Sequence, residues 1–192
     1  MKKTFSNAYI LIYSAVLVVL AALILTIVSV SLKPKQLKNQ AAEQKQMILK
    51  TIGINDATRD NADALYAKHI TESRIGDDVY YTFDGGVILP MHGTGLWGPI
   101  WGYIALDNDK NVVGAIFDHK GETPGLGGEI SSEKFAARFI GKKMADAPIH
   151  LKKNADKSNP YEVDAISGGT MTSNGVTAML ESCYNQYETL LK

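Results

Sequence analysis

The 192-residue sequence has a single cysteine, Cys183, so no disulfide can close within the chain. Neither a Cys-based zinc site nor an iron–sulfur cluster can be assembled from one thiol. Net charge is also lacking: 20 Lys and Arg face 20 Asp and Glu, and no basic block is interleaved with aromatics. A nucleic-acid binder needs a basic surface to displace counterions, so no nucleic-acid partner is expected. The P-loop spacing G-x-x-x-x-G-K-[ST], a strand–GxGxxG–helix unit and a G-x-S-x-G elbow are all missing. The four histidines, His69, His92, His119 and His150, are dispersed with no H-x-x-x-H spacing. No metal site and no catalytic residue are expected. Cys183 itself lies on the apolar side of a helical pattern and reads as core rather than as a reactive thiol.

Charge is most conspicuously absent from residues 8–32, a run of 25 uncharged residues. As a helix this run extends about 38 Å, and the hydrocarbon core of a bilayer is about 30 Å thick. Signal-peptide apolar regions are shorter, about 7–15 residues, and end at a small-x-small site. Ser29-Val30-Ser31 is only a weak match, so an uncleaved anchor over residues 1–32 is expected. Tyr9 and Tyr13 suit the membrane interface. Lys2 and Lys3 precede the run and Lys33, Lys35 and Lys38 follow it, so lysine counting assigns no orientation.

Residues 33–192 hold all the acidic groups and read as one α+β domain: an antiparallel sheet with flanking helices, behind one N-terminal transmembrane helix. Pro34 suits the first turn of a new helix. Leu37, Ala41, Ile48 and Ile52 share one face of that helix, and Gly53 is a stop. A short helix is expected over 57–69. Strands are expected at 79–83, 87–89, 98–106 and 112–117, with turns at Asp84-Gly85-Gly86 and Asp107-Asn108-Asp109-Lys110. Ser131 or Ser132 caps a helix through Phe135, Arg138 and Phe139, and residues 152–160 read as a polar loop. Ser173 or Asn174 caps a last helix with Val176, Met179, Leu180, Cys183 and Tyr187 on its apolar side.

Three glycine-rich patches could carry chemistry: residues 92–98, 121–128 and 167–173. Glycines let backbone N–H groups approach a ligand, and a helix N-terminus favours an anion. Four hydroxyls in the third patch, Ser167, Thr170, Thr172 and Ser173, give it the look of a phosphate site. Spacing alone allows a turn with caps equally well.

The motifs then become recognisable. Asp164-Ala165-Ile166-Ser167-Gly168-Gly169-Thr170 resembles the D-x-x-[ST]-G-A-T motif of covalent flavin-carrier domains, with Gly169 in place of alanine. Glu122-Thr123-Pro124-Gly125-Leu126-Gly127 is similar to the ETPGLG loop of the same family. Two residues separate His119 from Glu122 where that family usually has one. Gly95-Leu96-Trp97 and Thr172-Ser173-Asn174-Gly175-Val176 resemble segments of the C-subunit family (NqrC) of sodium-translocating NADH:quinone reductases. The G subunit of the Rnf complex shares the first two motifs but not the last two. The resemblance covers residues 93–180 plus the anchor.

The resemblance implies an electron-transfer subunit of a membrane oxidoreductase that couples NADH and ubiquinone to sodium transport. FMN would be joined through its phosphate to the Thr170 hydroxyl, making the chain a flavoprotein with a phosphoester. Ser167, Gly168, Gly169 and Thr172 would surround that phosphate. Glu122, Thr123, Gly125, Leu126, Gly127 and Trp97 would line the flavin, with Leu126 an apolar neighbour of the ring. Asp164 would serve recognition by the flavin transferase that makes the bond from FAD. The implied partners are the other subunits of the complex, the transferase and the lipid bilayer. The implied location is the bacterial inner membrane, with residues 33–192 on the periplasmic side. An Rnf-type G subunit, or a tethered anion-binding or assembly module without covalent flavin, are the alternatives.

Overall fold

The computed structural model describes residues 6–192; Lys2 and Lys3 lie outside the described residues. The chain divides into two compact units, Met1–Ala42 and Glu43–Lys192. Helix α1, Asn7–Thr51, is 45 residues long. Its apolar part is exposed, and it is long and apolar enough to cross a membrane. Two of its hydroxyls bond within the helix: Thr26 Oγ1 donates to the Ala22 carbonyl and Ser31 Oγ to that of Val28. Bonds of this kind satisfy a hydroxyl donor in an apolar surrounding. Tyr9 and Tyr13 stack one helical turn apart.

Pro34 does not open a helix as expected; it lies inside α1. It has no N–H for the Val30 carbonyl, which costs one bond. Strong helix formers on both sides carry the helix through that gap. At the other end the expected stop holds. Gly53 has φ +83°, its N–H donates to the Lys50 carbonyl, and Ile54 N–H donates to that of Leu49. This pattern closes a helix by satisfying its last carbonyls.

Helix α2, Ala62–His69, begins later than residue 57. Asn61 explains the delay. Its Oδ1 accepts Thr58 N–H and its Nδ2 donates to the Asp56 carbonyl, holding the preceding residues in a loop.

The sheet is an antiparallel meander of five strands in sequence order: β1 Thr71–Ile75, β2 Asp78–Phe83, β3 Gly86–Thr94, β4 Pro99–Asp107 and β5 Val112–His119. Strands β2 to β5 follow the expected hairpins. Strand β1 was not anticipated, because Thr71-Glu72-Ser73-Arg74 is polar throughout and lies at the sheet edge. In β3 and β4 successive residues alternate between two cores. Leu89, Met91, Ile104 and Leu106 face one, and Ile88, Tyr103 and Ala105 face the other.

The first core is closed by α4, Thr170–Gln186, with Val176, Met179, Leu180 and Cys183 buried. The short helix α3, Glu133–Ala136, and adjoining single turns add Ile130, Phe135 and Phe139. Ser132 caps α3 as expected, its Oγ accepting Phe135 N–H. The second core is closed by Ile48 and Leu49 of α1 and Tyr66 of α2. A short parallel pair, β6 His150–Lys152 with β7 Glu162–Asp164, flanks the segment leading to α4. Helix α5, Glu188–Leu191, ends the chain.

The start of α4 departs from expectation. Gly169, not Ser173 or Asn174, is its N-cap. Ser173 Oγ is engaged elsewhere, accepting Ile166 N–H at 3.0 Å, and Ser173 N–H donates to the Gly169 carbonyl. Helical bonding therefore begins one turn earlier, and Thr170 becomes the first helical residue.

Candidate functional site

The three glycine patches meet where β3 and β5 end and α4 begins. Their joint is Glu122, 4% exposed. Its Oε2 accepts the Thr172 hydroxyl at 2.5 Å, and its Oε1 accepts Trp97 N–H at 2.8 Å. Thus one carboxylate ties the second patch to the first and to the third. Burial pushes the Glu122 carboxyl up, but hydrogen bonds from Thr172 and from the Trp97 and Leu96 N–H groups outweigh it. The carboxyl stays below the ordinary range and ionised at neutral pH. His119, whose role the sequence left open, steadies the turn: its Nδ1 accepts Glu122 N–H at 3.3 Å.

Two glycines are needed for this closeness. A Cβ on Gly127 would run into Thr172 Oγ1 and the Glu122 carboxylate. Gly168 has φ +75°, in the region L side chains rarely adopt, and a Cβ there would sit 2.7 Å from Leu126 Cδ2.

A small cavity of about 160 Å³ opens over this joint. Of the residues expected at the site, Trp97, Glu122, Thr123, Leu126, Gly127, Gly168, Gly169, Thr170 and Thr172 line it. Leu96 and Met171 line it too and were not among the candidates, although Leu96 sits inside the Gly95-Leu96-Trp97 motif and Met171 between two recognised motifs. Its apolar members are exposed, Trp97 by 69% and Met171 by 60%.

Ser167 and Asp164 lie instead on a neighbouring cleft of about 970 Å³, which shares Gly168 and Thr170 with the small cavity. Gly125, with φ +75°, lines neither. Asp164 Oδ1 accepts Ala155 N–H, and the carbonyls of Asp164 and Ala165 accept from Arg138 Nη1. Arg138, Lys142, Lys153 and Lys157 also line the cleft. Nothing in their sequence spacing marked them, since they converge only in three dimensions.

The four hydroxyls of the third patch differ in access. Thr172 and Ser173 are each 2% exposed and hydrogen-bonded, while Ser167 and Thr170 are exposed. Thr170 stands at the N-terminus of a 17-residue helix, whose first N–H groups have no helical acceptor. Cys183 is buried in the core, and burial pushes its thiol up to about 12. No cluster of three metal-ligating side chains occurs among the described residues.

Residues 95–185 match the FMN-binding domain family. The chain is 43% identical to the C subunit of the Na(+)-translocating NADH-quinone reductase of Neisseria meningitidis over 97 residues, 48% of this chain and 38% of that protein. It is 44% identical to the same subunit of Vibrio alginolyticus over 96 residues, 47% of this chain and 38% of that one. The matched segment thus spans well under half the length of those relatives. The crystal structure of the corresponding protein from Parabacteroides distasonis superposes with a TM-score of 0.73 and 34% identity, covering 84% of this chain and 97% of that one. Shewanella oneidensis NqrC shares the fold, with a TM-score of 0.66, 20% identity, and coverage of 78% of this chain and 94% of that one. The fold and the sequence identity agree with these relatives, and the chain belongs to the NqrC family, the C subunits of Na(+)-translocating NADH-quinone reductases.

Proposed function

We propose that this chain is an electron-carrying subunit of such a reductase and holds FMN covalently, by a phosphoester to Thr170. The observation that carries the reading is the accessibility of Thr170. It is the exposed hydroxyl at the N-terminus of α4, between a small cavity with apolar walls and an open polar cleft. The residues fit the group. Leu96, Trp97, Leu126 and Met171 offer apolar surface of the kind a planar ring requires, and a helix N-terminus offers N–H groups to a phosphate. Membership in the NqrC family and the FMN-binding domain match support the same assignment.

Bound there, FMN supplies electron storage and transfer. The chain supplies position and surroundings. Thr170 Oγ provides the attachment point, and Gly168 and Gly169 leave its approach clear of side chains. The α4 N-terminus offsets phosphate charge. Trp97, Leu96, Leu126 and Met171 keep water from the ring, while Glu122 and Thr172 hold the loops that carry them. Ser167 and Asp164, on the cleft side of Thr170, face the flavin transferase during attachment. Residues 1–32 anchor the chain in the inner membrane, residues 33–192 form the flavin domain on its periplasmic side, and the partners are the other subunits of the complex.

Co-expression of the full chain with a flavin transferase tests this. A denaturing gel viewed under ultraviolet light should show a fluorescent band, and the peptide containing Thr170 should gain the mass of FMN less one water. Thr170→Ala should be dark. Full flavin stoichiometry in Thr170→Ala would overturn the assignment.

A further inference from the structure

Among the described residues, Glu122 is the only buried acidic side chain. Burying a carboxylate is costly unless its oxygens are bonded. Here both are, yet every bond comes from a neutral donor: Thr172 Oγ1 and backbone N–H groups. No ion pair to Glu122 occurs among the described residues. The titratable group beside it is His119, whose Nδ1 accepts from the Glu122 backbone and whose charge favours the ionised carboxylate less than any of the hydrogen bonds does. The wall of the small cavity therefore carries a negative charge that is held chiefly by dipoles and has no ion-pair partner among the described residues.

We propose that Glu122 is a positioning residue that also acts as a fixed anion, lowering the midpoint potential of a flavin seated in this cavity. The proposal rests on the flavin assignment above. Uptake of two electrons and one proton from a reducing partner leaves the ring one unit more negative, and a fixed anion nearby opposes that gain. At an effective dielectric of about 20, one charge some 10 Å away changes the balance of oxidised and reduced forms roughly tenfold. Because Glu122 is buried, added salt screens this effect less than it would a surface charge.

Two variants separate electrostatics from structure. Glu122→Gln keeps the shape and removes the charge. Thr172→Val keeps the charge and removes the hydroxyl that offsets it. The full chain is loaded with flavin by the transferase, and the reduced fraction is followed by absorbance against electrode potential in mildly alkaline buffer. Glu122→Gln should raise the ratio of reduced to oxidised flavin about tenfold at fixed potential, equivalent to about 30 mV for a two-electron couple. Thr172→Val should lower it.

Opposite signs are the signature. A purely structural role loosens the same three loops in both variants and moves them the same way. An unchanged or lowered potential in Glu122→Gln overturns the proposal, as does an unchanged or raised one in Thr172→Val. If Glu122→Gln fails to fold or load, Thr172→Val alone decides by its sign. A wild-type chain that takes no flavin sinks the flavin assignment and this proposal together; a loaded wild type with unshifted variants sinks only this one.

Discussion

One face of the sheet is closed by α4 and the other by the last turns of α1 with α2, and the side chains buried on the two faces differ in kind. The α4 face is filled with aliphatic residues, the buried Tyr184 and Tyr187, and a phenylalanine cluster, Phe117, Phe135 and Phe139, with ring centroids 4.9–5.3 Å apart. The α1 face is built around three tyrosines, Tyr66, Tyr81 and Tyr103, in edge-to-face contact at 6.1 and 6.3 Å. Tyr66 hydroxyl donates to Glu72 at 2.8 Å, so this face ends in polar groups near its rim. The difference has a consequence for function. Only the α4 face positions the site, because the helix that fills it begins at Thr170. The α1 face stabilises the same sheet from the other side.

The sharpest way to break that division is a pair of matched truncations. Met179 on α4 and Ile88 on β3 are both essentially fully buried, one on each face. Each change to alanine should cost about 2–5 kcal/mol, read from denaturant unfolding. Met179 packs over Gly93 so closely that no Cβ would fit there, so its loss lets α4 settle differently against the end of β3. Met179→Ala should therefore slow flavin transfer to Thr170, and Ile88→Ala should leave the transfer rate near wild type. Equal slowing in both would mean that the site depends on global stability and that the two faces are not separable.

A smaller effect divides the faces by pH. Glu122 belongs to the site, and its hydrogen bonds hold it below the ordinary carboxyl range despite burial. A depressed carboxyl contributes stability that is present above its unfolded value, near 4.5, and is lost as pH falls through the folded one. Tyr103 belongs to the α1 face. Burial, then the neighbouring Tyr81, pushes its phenol up to about 12 from the ordinary 10. A raised phenol contributes stability that is full below about pH 10 and is lost as pH climbs through 12. Glu122→Gln should cost about 1–3 kcal/mol at neutral pH and flatten the acid side of the stability profile. Tyr103→Phe should flatten the alkaline side alone, although Cys183 and Tyr187 on the α4 face, both raised by burial, add to the alkaline loss. An acid limb unchanged in Glu122→Gln would detach the site from acid stability.

Much of this architecture is legible in the amino-acid order. Apolar and aromatic runs bounded by turn residues mark β2 to β5, because these strands carry residues of two different cores on their two faces, and the stripe from Val176 to Tyr187 marks α4. Strand β1 was hidden because an edge strand without buried residues leaves no apolar run to see. The start of α4 was misplaced because Ser173 and Asn174 look like caps. Their capping preference is local, while the Ser173 hydroxyl is claimed by Ile166 through the tertiary fold. The site was legible in parts. Each glycine patch is visible separately, but the bond joining Glu122 to Thr172 spans 50 residues, and no spacing rule reaches that far. Leu96 and Met171 were overlooked although they flank motif residues, because an exposed apolar side chain carries no signal until the cavity around it is known.

The weakest expected effect lies on an ion pair that links the two closing layers. Lys50, near the end of α1, reaches Glu133 at the start of α3 at 2.8 Å. Lys50 lowers the Glu133 carboxyl by hydrogen bond and by charge. The contact therefore joins the element over the tyrosine face to one that buries Phe135 in the α4-face core. It is tempting to read it as a strap. Both side chains are largely solvated, however, and exposed pairs are screened by salt and lose side-chain entropy on pairing. Lys50→Ala should leave the unfolding midpoint within experimental scatter, with no difference between low and high salt, and should not alter flavin transfer. A clear, salt-sensitive loss would show that the two layers are coupled through their surface, and the separation of stability from site positioning argued from Met179 and Ile88 would then need this third contact to explain it.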